Sequence, residues 1–261
     1  MPIRFGPAGL GPVKDAVSNL EEYHKLGLRA CEIAFTYGAY IKNKDDAEKI
    51  GKRARELGIK LSIHGHYWIN LNSEEKEKIE KSKERILECC KVGTWLGAEE
   101  IVFHPGFYGN NKEQAYENVK NAILDILKTA KDKGYTPRLA PEMMGKVNVF
   151  GSVEEIKKLT EDTGCSCCID FAHILARYRD YKFREVLNLF SSVKSLHIHF
   201  SGIVYGDKGE KHHVKTPEED LRRLISCLPA DKDITIINES PDMIADSVAG
   251  LKICESLKPE K

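Results

Sequence analysis

Apolar and polar positions along this chain alternate in two different rhythms. Short runs of apolar and β-branched residues fall at 3–6, 30–35, 60–64, 99–104, 137–142, 165–170, 195–200 and 234–239, which predicts eight strands. Between them apolar residues recur at helical spacing over 13–26, 45–57, 73–96, 112–133, 153–163, 220–228 and 243–257. Helix starts are marked by Asn72 or Ser73 ahead of Glu75, by Ser152 ahead of Glu154 and Glu155, and by Thr216-Pro217 ahead of Glu218. Stops are marked by Gly58, Gly97, Gly134 and Gly164. An eightfold strand and helix alternation over 261 residues is the size and order of an α/β (β/α)8 TIM barrel, here a single domain over 1–261, whose strands bring their carboxyl ends to one rim.

That rim is where the chemistry concentrates. Six of the eight strands end in His, Glu or Asp: His64, His104, Glu142, Asp170, His197 and Glu239. One histidine at a strand end is an ordinary structural side chain, but six ionisable groups on successive strands of one barrel converge. Glu142, Asp170 and Glu239 each close a mainly apolar run, and carboxylates that near must share cations or take up protons. Divalent metal is the simplest resolution. His173, three residues past Asp170, falls on the first turn of a following helix and leans over the same pocket. After strand seven, a long loop carries Glu210-Lys211-His212-His213, a further carboxylate and imidazole pair or simply an exposed polar loop.

Composition adds limits. Forty basic and forty acidic side chains give a net charge of zero, no electrostatic footprint for nucleic acid, although three bound divalent ions would make the pocket itself positive. The run from Glu74 to Arg85 alternates in sign and reads as a solvated helix face. The eight cysteines include the adjacent pair Cys89 and Cys90 and the cluster Cys165, Cys167 and Cys168; neither group has the look of a disulfide framework, and buried free thiols are expected. No charged-then-apolar leader opens the chain and no apolar run nears membrane-spanning length, so a soluble cytoplasmic protein, a monomer without membrane contact, is expected.

The blocks Ile63-His64-Gly65-His66-Tyr67-Trp68-Ile69-Asn70-Leu71, Phe103-His104-Pro105-Gly106, Pro141-Glu142, Cys168-Ile169-Asp170-Phe171-Ala172-His173, Leu196-His197, Lys211-His212-His213 and Asn238-Glu239 resemble, in order, the signature blocks of the endonuclease IV family. That family cleaves double-stranded DNA on the 5′ side of abasic sites with three zinc ions in a TIM barrel of the xylose isomerase-like superfamily. The resemblance implies one metal on His64, His104 and Glu142, a second on Glu142, Asp170, His197 and Glu239 with Glu142 bridging, and a third on His173, Glu210 and His212. Zinc suits this ligand mixture, and manganese or iron is compatible with it. It also implies in-line hydrolysis of a phosphodiester, with Glu239 or Glu142 orienting or deprotonating the attacking water. An abasic nucleotide suits such a pocket because it is easily turned out of the duplex.

Tyr67 and Trp68 stand where the family places residues that wedge into stacked bases. Tyr37 and Tyr40 follow strand two, where the family has a basic, amide-rich probing loop, and are expected to replace it by stacking. Other departures multiply the ligand candidates. His199 lies on the same strand face as His197, Glu210 stands for the usual Asp, and His66 and His213 compete with their neighbours. A sugar isomerase or epimerase on the same barrel needs only a single-metal quartet, Glu142, Asp170, His197 and Glu239, and a metal-loaded binding protein is a third reading. The surplus of histidine favours phosphodiester hydrolysis.

Overall fold

The computed structural model describes residues 3–257. Eight parallel strands close a barrel: β1 (Ile3–Pro7), β2 (Ala30–Ala34), β3 (Lys60–His64), β4 (Glu100–Phe103), β5 (Arg138–Pro141), β6 (Cys168–Asp170), β7 (Ser195–His199) and, last in the chain, β10 (Asp233–Asn238). Ladders run β2-β3-β4-β5 and β1-β10-β7-β6. Two seams join them. Arg29 N–H donates to the Phe5 carbonyl at 3.1 Å, and Met143 N–H to that of Cys168, also at 3.1 Å.

The predicted helices are present as α1 (Ala16–Lys25), α2 (Lys44–Glu56), α3 (Lys76–Leu96), α4 (Lys112–Asp132), α5 (Val153–Thr163), α8 (Glu218–Cys227) and α9 (Met243–Ser256). Ser152 and Glu155 form a full capping box on α5, and Gly97 and Gly164 end α3 and α5 in the left-handed conformation. The α3 start differs from expectation. Ser73 accepts from Glu75 N–H at 3.2 Å, turning the chain before the helix begins at Lys76. Two helices, α6 (Phe171–Tyr178) and α7 (Phe183–Leu189), fill the stretch between β6 and β7, where no defined helix boundaries were foreseen. The expected loop after β7 is a hairpin, β8 (Gly202–Gly206) paired antiparallel with β9 (Gly209–Val214).

Each strand shows two faces to two environments, as its period of two requires. Cys31, Ile33, Leu61, Ile63, Ile101, Phe103, Ile169 and Ile198 belong to the large apolar core beneath the helices, where a fully buried Ile or Phe contributes about 1.5–3 kcal/mol. The intervening residues turn to the barrel axis, where Val102, Ala140 and Cys168 form a small apolar cluster and Ala30 and Ile237 are also buried. Much of the axis is polar: Glu32, Ser62, Glu142, Asp170, His197 and His199 are all buried. At the opposite end of the barrel from the rim, Lys60 bridges Asp233 at 2.9 Å and Glu99 at 2.8 Å, Arg4 pairs with Asp233, and Arg138 with Glu100. Gly6 closes the β1–β2 seam: a Cβ there would stand 1.9 Å from the Ala30 carbonyl oxygen.

Cys31, Cys89, Cys90, Cys165, Cys167 and Cys168 are buried free thiols, as expected, and Cys227 is a half-buried one. Among the described residues no helix is long and apolar enough to cross a membrane.

Candidate metal centre

Glu142 follows β5 directly and is fully buried at the centre of the rim. Its Oε2 lies 3.1 Å from Nε2 of His64 and 3.1 Å from Nε2 of His104, whose rings meet edge to face at 5.1 Å between centroids. Its Oε1 turns the other way, 3.4 Å from His199 Nδ1 and 3.2 Å from His173 Nδ1. Two compact donor groups therefore share Glu142. One is His64, His104 and Glu142; the other is Glu142, Asp170, His199 and Glu239, with the donor atoms of each set within 4.8 Å of one another.

Backbone carbonyls fix which nitrogen of two of these rings carries a proton. His64 Nδ1 sits 3.0 Å from the Gly65 carbonyl and His173 Nδ1 3.0 Å from that of Met143. A carbonyl only accepts, so in each ring Nδ1 carries a proton, and in the neutral imidazole Nε2 keeps its lone pair. Those lone pairs point at carboxylate oxygens, Glu142 Oε2 for His64 and Glu210 Oε2 at 3.2 Å for His173. Lone pair against carboxylate is repulsive unless a proton or a metal ion lies between. Metal-ligating histidines are held in this way, by an acceptor on the second nitrogen.

Charge balance points in the same direction. Burial, with Glu142 and Glu239 beside it, pushes the Asp170 carboxyl well above its usual range. Burial also works against Glu142 and Glu239, but His104, His173 and His199 hold the first well below the carboxylate range, and His199 with His213 brings the second down to about 2. Against its own burial, His64 is raised to about 9, chiefly by Glu142. Three acids this close cannot all ionise without positive charge in their midst. Glu142 Oε1, Asp170 Oδ2 and His199 Nδ1 are moreover buried with no hydrogen-bond partner. A divalent ion fits these atoms in charge, donor type and number.

The two β7 histidines occupy different depths. Both face the axis, but two residues along a strand are about 6.6 Å, so they serve different layers. His199 stands among Glu142 and Glu239, whereas His197 lies a layer below, its Nε2 3.0 Å from Glu32 Oε2. The structure thus gives the place foreseen for His197 in the second ligand set to His199. In the β8–β9 hairpin, neighbouring residues face opposite ways. His212 is exposed, while His213 turns inward, 5.6 Å ring to ring from His173 and 3.8 Å from Glu239 Oε2. Glu210 reaches the same group by packing over Gly145, whose N–H donates to its Oε2 at 3.0 Å. His173, Glu210 and His213 form the third cluster, with His212 outside it. His66 is buried away from all three, 3.8 Å from Glu88.

A cavity of about 250 Å³ opens over the site, lined by Thr36, His64, Tyr67, His104, Glu210, His213 and Glu239 among others. Tyr67 packs edge-on to His104 at 5.7 Å and is largely exposed. Trp68 and Tyr37 are also exposed, Trp68 over a groove that includes Lys78, Lys81, Arg85 and Phe107. Tyr40 is only marginally exposed and packs against Phe35.

One residue of the polar axis escaped the sequence reading altogether. Glu32, in the middle of β2, is fully buried and touches Ser62, His197 and His199. A carboxylate inside the apolar run Ala30-Cys31-Glu32-Ile33-Ala34 was a usable signal, but attention to strand ends passes over it.

A model of the family described as xylose isomerase-like TIM barrel matches residues 20–251. The chain belongs to this family. Among curated relatives, an uncharacterized protein of Methanocaldococcus jannaschii is 36% identical over 97% of both chains. An apurinic-apyrimidinic endonuclease of Caenorhabditis elegans is 31% identical over 65% of this chain, which spans 47% of that protein's length. A Sulfurihydrogenibium protein named "probable endonuclease 4" is 27% identical over 67% of this chain and 68% of its own. Among solved structures, SacUVDE superposes with TM-score 0.78 at 18% identity, covering 98% of this chain and 99% of that one. Endonuclease IV from Thermus thermophilus gives 0.72 at 22% identity over 97% and 98%. D-psicose 3-epimerase from Clostridium cellulolyticum gives 0.70 at 13% over 97% and 99%. These superpositions establish the fold. The same fold is found in both named kinds of protein, so the choice between them rests on the site.

Proposed function

We propose that this protein is a metal-dependent phosphodiesterase of the endonuclease IV kind, acting on double-stranded DNA on the 5′ side of abasic sites. The observation that carries the reading is the division of Glu142, with one oxygen turned to His64 and His104 and the other to His199 and His173. A carboxylate so divided suits a centre of two ions, and His173, Glu210 and His213 suit a third. Zinc fits the donors best, with manganese or iron compatible. Ions held there would neutralise phosphate oxygens and make water a stronger nucleophile.

The chain's own groups supply the rest. Glu239 faces the cavity, and His199 keeps its carboxylate ionised, so it is placed to orient a water or accept its proton. Glu142 stays ionised between the two donor sets and is the bridge on which both depend. Tyr67 at the rim offers a face to a nucleotide turned out of the stack, and the exposed rings of Trp68 and Tyr37 offer stacking surface to duplex DNA. Lys78, Lys81 and Arg85 beside Trp68 offer positive charge to phosphates.

A second reading has a specific observation behind it. Glu142, Asp170, His199 and Glu239 alone form a compact quartet suited to one ion, the arrangement a sugar isomerase or epimerase needs. It leaves His64, His104, His173 and Glu210 without a role, which is why we prefer hydrolysis. The deciding experiment combines metal analysis with a nicking assay on a duplex containing one abasic analogue. Two or three ions per chain and cleavage 5′ to the lesion are expected; one ion with turnover of a ketose would replace this reading with the isomerase.

A further inference from the structure

Beneath the rim, the barrel axis holds a second layer of polar side chains, and Glu32 is its centre. The Ser62 hydroxyl donates to Glu32 Oε2 at 2.7 Å, and His197 Nε2–H donates to the same oxygen at 3.0 Å. Both contacts follow from register, since Ser62 pairs with Glu32 across β2 and β3, and His197 arrives from the far side of the barrel. Glu32 Oε1 is left facing His199 Nε2 at 2.9 Å. Both atoms are buried and neither has any other hydrogen-bond partner.

An ionised carboxylate accepts and never donates. Oε2 of Glu32 is already the acceptor for the Ser62 hydroxyl and for His197, so the group acts as a carboxylate that accepts at both oxygens. Only an N–H can face such an oxygen at 2.9 Å without repulsion, so Glu32 selects the tautomer of His199 that carries its proton on Nε2. Nδ1 is then a bare lone pair aimed between Glu142 Oε1 at 3.4 Å and Glu239 Oε1 at 3.5 Å. We propose that Glu32 is the positioning residue of this centre: held by Ser62 and His197, it orients His199 and fixes Nδ1 as the atom presented to a divalent cation.

This inference rests on the metal reading above. It also gives His197 a purpose, as a support of Glu32, and distinguishes His199, whose outer partner is a carboxylate, from His64 and His173, whose outer partners are backbone carbonyls. The competing arrangement is a cation deeper in the barrel on Cys168, His197 and His199 Nε2, whose donor atoms also lie within 4.8 Å of one another. There His199 would present the opposite nitrogen.

The test uses the whole protein and zinc alone. Competition against a chromogenic chelator is expected to show Glu32→Gln weakening one class of zinc site about 10–100-fold, the usual cost of losing an outer partner, with the site on His64 and His104 unchanged. Glu32→Asp, which keeps the charge, should recover part of the loss, and Ser62→Ala should cost only a few-fold. Wild-type protein that binds no zinc would defeat the metal reading itself; wild-type binding with an unaltered Glu32→Gln variant would overturn this inference alone. Should the variants fail to fold, long-range ¹H–¹⁵N correlation on zinc-loaded wild type still decides. A protonated Nε2 and coordinated Nδ1 on His199 is expected, and the reverse assignment would overturn the proposal.

Discussion

His199 Nδ1 stands 3.4 Å from Glu142 Oε1, and neither atom has a hydrogen-bond partner although both are buried. Two such unmet groups at the core of a closed barrel would cost several kcal/mol if nothing joined them. Their pairing, repeated by Asp170 Oδ2, marks the rim as a candidate cation site.

Glu142→Gln should therefore disable both donor sets together. Zinc content should fall by at least one ion per chain and turnover by more than about a hundredfold, beyond the loss expected for a merely orienting group. Inductively coupled plasma analysis alongside the nicking assay reads both; retention of full metal and near-normal rates would contradict a shared Glu142.

The β7 histidines should separate cleanly. His199→Ala removes a donor beside Glu142 and Glu239, so a metal should be lost. His197→Ala removes a hydrogen bond to buried Glu32 and should cost about 1–3 kcal/mol of stability while retaining most bound metal. Urea denaturation and metal analysis of both variants distinguish them, and equal metal loss would merge their roles.

Much of this was legible in the chain. Six strand ends could be read as convergent because a parallel barrel has only one carboxyl rim, and His64, His104, Glu142, Asp170 and Glu239 do meet there. What escaped depended on depth and on local turns. His197 and His199 share a strand face, so alternation alone cannot tell which reaches the rim layer. Whether His212 or His213 turns inward depends on the hairpin, and its pairing, with a register shift between Val204 and Tyr205, has no plain sequence mark. Glu32 looked like an irregularity in an apolar strand because its partners lie 30 and 165 residues away.

Gly6→Ala tests the barrel seam. The added methyl would lie 1.9 Å from the Ala30 carbonyl oxygen, an overlap only backbone movement relieves. A loss of about 3 kcal/mol is expected in denaturant titration, at the upper end for overpacking. A loss under about 0.5 kcal/mol would show that the seam yields.

At the other end of the barrel, partial burial favours the neutral form of Asp233, but Lys60 and Arg4 outweigh it and lower its carboxyl below the usual value. A carboxyl lowered in the fold stabilises above its unfolded value, about 3.9, and the contribution is lost as pH falls through the lower folded value. Asp233→Asn should cost about 1 kcal/mol at pH 7, and the gap from wild type should close as the pH falls through that lowered value. A pH-independent gap in thermal unfolding would assign the loss to packing.

Trp68→Ala should weaken binding to duplex DNA about 5- to 100-fold, the usual range for one stacked ring, with metal content unchanged. Fluorescence anisotropy measures it, and unaltered affinity would remove Trp68 from the recognition surface.

The most direct measurement is anomalous diffraction at the zinc edge from crystals grown with zinc. Two peaks flanking Glu142 are predicted, one beside His64 and His104 and one among Asp170, His199 and Glu239. A single peak confined to the quartet, or density at Cys168 and His197 instead, would contradict the account.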